Sequence, residues 1–223
     1  MKRLIIAIDG PAASGKSTTA KFVAERLGYL HVDTGAMYRA FTLKVLHQRV
    51  DVQNAAEIVK LVPQTTVRLL YKGERQRALL DGIDVSEEIR KPEVTKAVSA
   101  VSSIPEVRAL MVREQQAMGK NGGIVLEGRD IGTVVFPNAD VKIFMIADAR
   151  ERARRRSKEL SERGTNIPLD ELERDIVERD EKDASRTVSP LQKAKDAVVL
   201  DTTTLSVEEQ VDFIVAKAME KMK

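Results

Sequence analysis

With 223 residues, 43% hydrophobic and 32% charged, the chain is long enough for one fully cored domain plus a small insert, and its composition excludes a disordered protein. A net charge of +3 suits a handler of phosphates, but 4% aromatics and no tryptophan leave few side chains for a base-stacking platform, which weighs against a nucleic-acid groove. The absence of cysteine rules out disulfides and thiolate metal sites and fits the cytoplasm, the compartment expected for this chain.

Met1-Lys2-Arg3 leads into an apolar run from Leu4 to Ile8. The run is shorter than the at least about 7 residues of a secretory core, so it predicts a buried strand. Nothing in the chain approaches the roughly 18 apolar residues of a membrane span, and no membrane partner is expected. Further strands are predicted at Tyr29 to Val32, Gly123 to Leu126, Val141 to Ala147 and Ala197 to Leu200. Helical patterns separate them at Lys16 to Leu27, Ala36 to Gln48, Val94 to Met118, Arg150 to Arg163, Leu169 to Asp183 and Val207 to Met222, the last with Ser206 as its N-cap. Strands alternating with helices imply an α/β fold, a five-stranded parallel sheet covered by helices on both faces. One stretch breaks the rhythm. Thr65 to Tyr71 and Arg77 to Asp81, with Lys72-Gly73-Glu74-Arg75 between them and Gly82 to Val85 after them, predict a small antiparallel β insert. The expected organisation is a single domain, core 1–64 and 90–223, with the insert at about 65–89.

Gly10-Pro11-Ala12-Ala13-Ser14-Gly15-Lys16-Ser17 satisfies G-x-x-x-x-G-K-[ST], with a strand before it and a helix from Thr18 after it. The backbone N–H groups of such a loop, together with the helix N-terminus, cradle anions. Lys16 is then the residue for the β- and γ-phosphates, and the Ser17 hydroxyl is a magnesium ligand. Gly10 to Thr18 are therefore the candidate ATP-binding residues. A GTPase would need N-K-x-D, which is absent, and motor or transport ATPases run much longer. A small-molecule kinase remains, with ATP as co-substrate and Mg²⁺ as cofactor.

Two further motifs end predicted strands, where open α/β sheets gather ligands. One is Asp33-Thr34-Gly35-Ala36-Met37-Tyr38-Arg39; the other is Glu127-Gly128-Arg129-Asp130-Ile131-Gly132-Thr133. Each brings an arginine toward the crevice that holds the phosphate loop. Asp33 is also a candidate to hold a Mg²⁺-bound water if its strand neighbours that of the loop.

With these segments, with Ile8-Asp9-Gly10-Pro11, and with Glu178-Arg179-Asp180 followed by Asp183 and Arg186, the chain resembles bacterial cytidylate kinases over essentially its whole length. The resemblance implies a P-loop kinase fold and transfer of the ATP γ-phosphoryl group to CMP and dCMP. It implies that Arg39, Arg129 and Arg186 clamp the monophosphate, that Asp183 with Arg179 takes the ribose hydroxyls, and that Ser99, Arg108 and Asp130 read the cytosine edge. Thr34 joins the CMP-binding set. Arginine forks suit phosphate oxygens, and a carboxylate suits the exocyclic amine of cytosine. The alternatives are a P-loop kinase for UMP, AMP or shikimate, and a nucleic-acid-binding ATPase.

Arg150, Arg152, Arg154, Arg155, Arg156 and Arg163 crowd the helix after the fourth strand. The reading is an arginine-rich lid at about 150–166, closing over the phosphates in a reaction that needs positioning and charge neutralisation. Arg155 and Arg156 are the catalytic candidates beside Lys16 and Arg129; helical spacing leaves Arg152, Arg155 or Arg156, and Arg163 on one face. The expected partners are ATP and CMP or dCMP, with no nucleic acid, and the protein is expected to be a monomer.

Overall fold

Four apolar residues ahead of Asp9 make strand β1 (Ile5–Asp9), buried from Ile6 onward. Helix α1 (Lys16–Leu27) follows the glycine-bounded loop and stops at Gly28, in the left-handed backbone that ends many helices. Strand β2 (Leu30–Asp33) comes next. This computed structural model describes residues 2–72, 75–162 and 164–222. It divides into two compact units, Met1–His31 with Gly122–Lys223, and Val32–Asn121.

The second unit begins with α2 (Thr34–His47), whose N-cap is Asp33: the carboxylate accepts from the Ala36 N–H at 3.0 Å. Helix α3 (Ala55–Leu61), capped by Asn54, is not among the predicted elements, because seven residues give too little periodicity to stand out. The insert is as expected, three antiparallel strands: β3 (Val67–Lys72), β4 (Arg75–Leu80) and β5 (Ile83–Asp84), with Val67 opposite Leu80 and Leu80 opposite Ile83. Gly73 and Glu74 of the predicted turn lie outside the described residues. The predicted helix from Val94 to Met118 is two helices, α4 (Pro92–Val101) and α5 (Pro105–Met118). Pro105 is the reason. It has no N–H to continue the ladder, and it holds Ile104 in extended backbone at ψ 123°.

Back in the first unit come β6 (Ile124–Gly128), a π-helical turn at Ile131–Val135, β7 (Val141–Ile146), α6 (Ala149–Ser161), α7 (Leu169–Ala184), β8 (Val198–Asp201) and α8 (Val207–Met222). Ser206 and Glu209 cap α8 reciprocally, Ser206 N–H to the carboxylate at 2.8 Å and Glu209 N–H to the hydroxyl at 3.3 Å. The five strands form one parallel sheet in the order β2-β6-β1-β7-β8. Strand β1 is central, with Asp9 beside Gly128 of β6 and Phe144 of β7, so the loop after it leaves the sheet between two other strand ends. Ile6, Ile8 and Ile143 of the sheet pack with Val23 of α1 and Ile214 of α8. Each such buried side chain contributes about 1.5–3 kcal/mol. A smaller core of Ala153, Leu172 and Ile176 joins α6 to α7. Among the described residues, no helix is long and apolar enough to cross a membrane.

Candidate active site

The loop of Gly10 to Ser17 follows β1, and glycine is required where it is tightest. A Cβ on Gly10, at φ 151°, would come within 2.1 Å of the Met145 carbonyl oxygen on β7. Lys16 folds back over the loop, donating to the Pro11 carbonyl at 2.6 Å and to the Ser14 hydroxyl at 3.3 Å. Its side chain is 5% exposed. Burial, helped by the neighbouring Arg129 charge and opposed by Glu127 and Asp9, pushes its pKa down to about 7. Both of these acceptors are neutral oxygens, so the loop holds its cation in wait of an anion. Ser17 and Thr18, by contrast, are exposed at the first turn of α1.

Asp9, at the end of β1, joins this loop to the Gly-Arg-Asp motif. Its two carboxylate oxygens accept from the N–H groups of Ile131 and Gly132 at 2.8 and 2.7 Å. Burial raises its pKa to about 6 against the pull of those two bonds. The next carboxylate across the sheet is Glu127, buried on β6. One of its oxygens accepts from the Ser17 hydroxyl at 2.6 Å, and the other lies 3.3 Å from Nε2 of His31.

Arg129 follows β6. It donates through Nε to Asp183 of α7 at 2.9 Å, and the other Asp183 oxygen accepts from Arg186. Burial works against ionisation of Asp183, but Arg129, Arg186 and Arg179 together outweigh it and hold its carboxyl below the usual range. Four residues the sequence picked, Arg129, Arg179, Asp183 and Arg186, are thus brought into one electrostatic cluster. Asp130, the next residue after Arg129, is buried.

The arginines of α6 are engaged one by one. Arg155 donates to the Thr202 carbonyl at 2.5 Å and to its hydroxyl at 3.1 Å, and pairs with Glu151 at 3.2 Å. Arg156 pairs with Glu159 at 2.7 Å, and Arg150 bridges to Asp170 and Glu173 of α7. Arg152 donates to the Ala12 carbonyl at 3.2 Å and pairs with Asp180 at 2.5 Å. Arg163 lies outside the described residues.

In the second unit, Thr34 is buried at the start of α2, and Arg39 is half-buried one turn on. A Cβ on Gly35 would lie 3.1 Å from the Asp33 carboxylate and 3.5 Å from the Arg39 guanidinium, so the bare glycine leaves room for both. Ser99 sits on α4 and Arg108 on α5, on opposite sides of the break that the sequence reading missed. Arg108 is 3% exposed, far from the solvated surface its amphipathic setting suggests. It donates to the Ser102 carbonyl at 3.1 Å, with its guanidinium 5.3 Å from the centre of the Tyr38 ring.

Sequence reasoning missed Asp9 and Glu127 as working residues, although both carry a signal: an acidic side chain at the buried end of an apolar strand. It also missed the rear supports of the loop. The Thr202 hydroxyl bonds the Ser14 carbonyl at 2.9 Å, and Gln210 of α8 accepts from Thr19 at 2.7 Å. Nothing local marks either residue. For Mg²⁺, a hard ion that takes oxygen ligands and keeps waters and phosphate oxygens among them, the Ser17 hydroxyl and the Glu127 carboxylate fit as the protein's share. Among the described residues, no group of three or more His, Asp or Glu side chains could hold a metal alone. Asp33, the sequence candidate, ends β2, which β6 separates from the strand of the phosphate loop, and its carboxylate caps α2.

A central strand, a phosphate-binding loop and a helix, with an arginine-bearing strand end tied to them by Asp9, define a P-loop nucleotide-binding protein. A family model described as cytidylate kinase matches residues 6–220. A cytidylate kinase of Bacillus cytotoxicus is 48% identical over 222 residues, covering 100% of this chain and 99% of that one. One of Bacillus cereus is 50% identical over 215 residues, covering 96% of each. A solved structure of an uncharacterized protein from Eubacterium ventriosum, 13% identical, covers 98% of this chain and 99% of its own with a TM-score of 0.51, and shows likeness of fold alone. The chain belongs to the cytidylate kinase family.

Proposed function

We propose that this chain transfers the γ-phosphoryl group of ATP to CMP and dCMP, giving CDP or dCDP and ADP. The observation that carries the reading is the pair of hydrogen bonds that the Asp9 carboxylate accepts from Ile131 and Gly132, which ties the turn after Gly128-Arg129-Asp130 to the strand bearing the phosphate loop, in a chain matched to the cytidylate kinase family over residues 6–220.

An oxygen of the CMP phosphate attacks the γ-phosphorus in line, the bond to the β,γ-bridging oxygen breaks, and ADP leaves with the electron pair. The acceptor is already an anion, so no protein nucleophile or base is needed. What the residues supply is position and charge. Lys16 exchanges its neutral partners for phosphate oxygens, which restores its full charge where charge develops. The N–H groups of Gly10 to Thr18 hold the donor phosphates. Arg39, Arg129 and Arg186 hold the acceptor phosphate; Asp183 and Arg179 take the ribose; Thr34, Ser99, Arg108 and Asp130 complete the CMP contacts, with Asp130 accepting from the cytosine amine. Ser17 and Glu127 are the residues for Mg²⁺, ahead of Asp33. Bound there, Mg²⁺ would supply neutralisation of phosphate charge. Helix α6 acts as the lid, with Arg155 and Arg156 leaving Thr202 and Glu159 for the transferring group.

The pairing of the α6 arginines with carboxylates supports a small-molecule kinase over a nucleic-acid binder, since each guanidinium is placed by an acidic neighbour rather than set in a bare basic stripe. We further propose a cytoplasmic monomer. The test is kcat/KM for CMP, dCMP, UMP and AMP by coupled ADP release, on wild type and Asp130→Asn. UMP sets a carbonyl lone pair against the Asp130 carboxylate, so wild type should prefer CMP by about 10²-fold or more, and Asp130→Asn should narrow that ratio while CMP activity falls. A wild-type preference for AMP or UMP refutes the reading; an unchanged ratio in Asp130→Asn refutes only the role of Asp130.

A further inference from the structure

Helix α7 carries Asp180 and Asp183 one turn apart, and they face different machinery. Asp183 holds Arg129 and Arg186. Asp180 reaches the phosphate loop. One of its oxygens accepts from the Ala12 N–H at 3.4 Å, and the other pairs at 2.5 Å with the Arg152 nitrogen that also donates to the Ala12 carbonyl at 3.2 Å. Arg152 is anchored from behind by its Nε donating to the Ala147 carbonyl at 3.0 Å. Both main-chain polar groups of Ala12 are therefore gripped by one ion pair, whose side chains are 8% and 21% exposed. The next residue, Ala13, stands at φ 57°, left-handed backbone that alanine keeps only where its surroundings hold it. The pair also joins three elements, since Arg152 comes from α6, Asp180 from α7 and Ala12 from the loop.

We propose that Asp180 is a positioning residue that, through Arg152, holds the phosphate loop in its receiving shape and makes α7 the link between the loop and Asp183. An anion entering the loop brings negative charge up to the Asp180 carboxylate, which shifts it against Arg152. Asp183 lies three residues on, about 4.5 Å along a stiff helix axis, and moves with it. Its hold on Arg129 and Arg186 changes with that movement, and with it the readiness of those arginines for the acceptor phosphate. Coupling of this kind is reciprocal: CMP must alter donor affinity by the same factor. The inference rests on the reading of Arg129 and Arg186 as acceptor ligands.

The experiment titrates ADP calorimetrically into wild type, Asp180→Asn and Asp180→Ala, with and without saturating CMP, after thermal melts show which variants are folded. In wild type, CMP should change the ADP Kd by about fivefold or more. In Asp180→Ala that ratio should fall to near one. Asp180→Asn keeps an acceptor for the Ala12 N–H but loses the charge that engages Arg152, so its ratio should lie between; it decides the matter if the alanine variant does not fold. A purely structural role would lower the melting temperature and leave the ratio alone. A folded variant with the wild-type ratio, or a wild-type ratio of one, overturns the proposal. If wild type binds ADP but not CMP, the cytidylate reading fails and takes this inference with it.

Discussion

Two sets of positive charge, one half-buried and one buried, stand within electrostatic reach of each other in the first unit, and they are balanced in opposite ways. Arg129 and Arg186 share the buried carboxylate of Asp183. Lys16 has neutral oxygens from Pro11 and Ser14 and a pKa pushed down to about 7. The arginine set carries its own counter-charge, so an incoming phosphate must compete with Asp183. The lysine's direct partners are neutral, and the charges of Glu127 and Asp9 do not offset its burial, so an incoming phosphate relieves a cost the fold already bears. On the proposed reading, the donor end of the site is thus built at the expense of stability, while the acceptor end is part of what holds the unit together.

Removing the lysine tests the first half of that contrast and carries the largest expected effect. Lys16→Met should lower kcat by about 10³-fold or more, the scale on which a preorganised charge acts on a developing anion. It should also raise the melting temperature, because a poorly compensated buried ammonium is replaced by an apolar side chain of similar length. Single-turnover kinetics and a thermal melt read the two together. Near-normal turnover in the folded variant would refute the role of Lys16, and a lower melting temperature would refute the claim of stored cost.

Removing the carboxylate should do the reverse. Asp183→Ala leaves two half-buried guanidinium groups without this carboxylate, and since breaking a fully buried pair costs about 3–5 kcal/mol, about 3 kcal/mol is expected here. For a chain of this size, that is a fall of about 10 °C in melting temperature. The depressed carboxyl of Asp183 fixes the sign with pH: its stabilisation is present above its unfolded-state pKa and is lost as pH falls through the lower folded value. Wild type should therefore lose this contribution in acid, whereas the variant has none to lose. Melts of both from pH 7 downward measure the difference.

The smallest effect is the most direct reading of the lysine. With a pKa of about 7 in the free protein, Lys16 is largely neutral at pH 8, and nucleotide phosphates that raise its pKa must draw in a proton. Calorimetry of ADP binding at pH 8, in buffers of different ionisation enthalpy, should show uptake approaching one proton. Affinity should weaken toward tenfold per pH unit above 7, and Lys16→Met should abolish the uptake.

The phosphate loop, all five sheet strands and the β insert are legible in the chain because each depends on neighbours within a few residues: apolar runs, a motif spaced for anion-binding amides, and glycines where the backbone must turn. Lys16–Leu27 and Val207–Met222 coincide with their helices for the same reason. The break between α4 and α5 was also within reach, since Pro105 stands in the middle of the pattern; its apolar periodicity runs on through the proline and conceals the stop.

Partnership was beyond reach. The identity of the charged residues is local, but which of them neutralises which depends on side chains far apart in the chain, as with Ser17 and Glu127, Arg129 and Asp183, or Ala12 and Asp180. Glu178 to Asp183 reads equally well as a solvated helix face, and Arg108 as an exposed one, until packing decides which side is buried. The sequence by itself determined the sheet, the donor loop and the family, since those rest on short-range pattern. Only the tertiary structure decided that Lys16 bonds neutral oxygens while Arg129 bonds a carboxylate, because burial and Coulomb interaction depend on distances that no local pattern encodes.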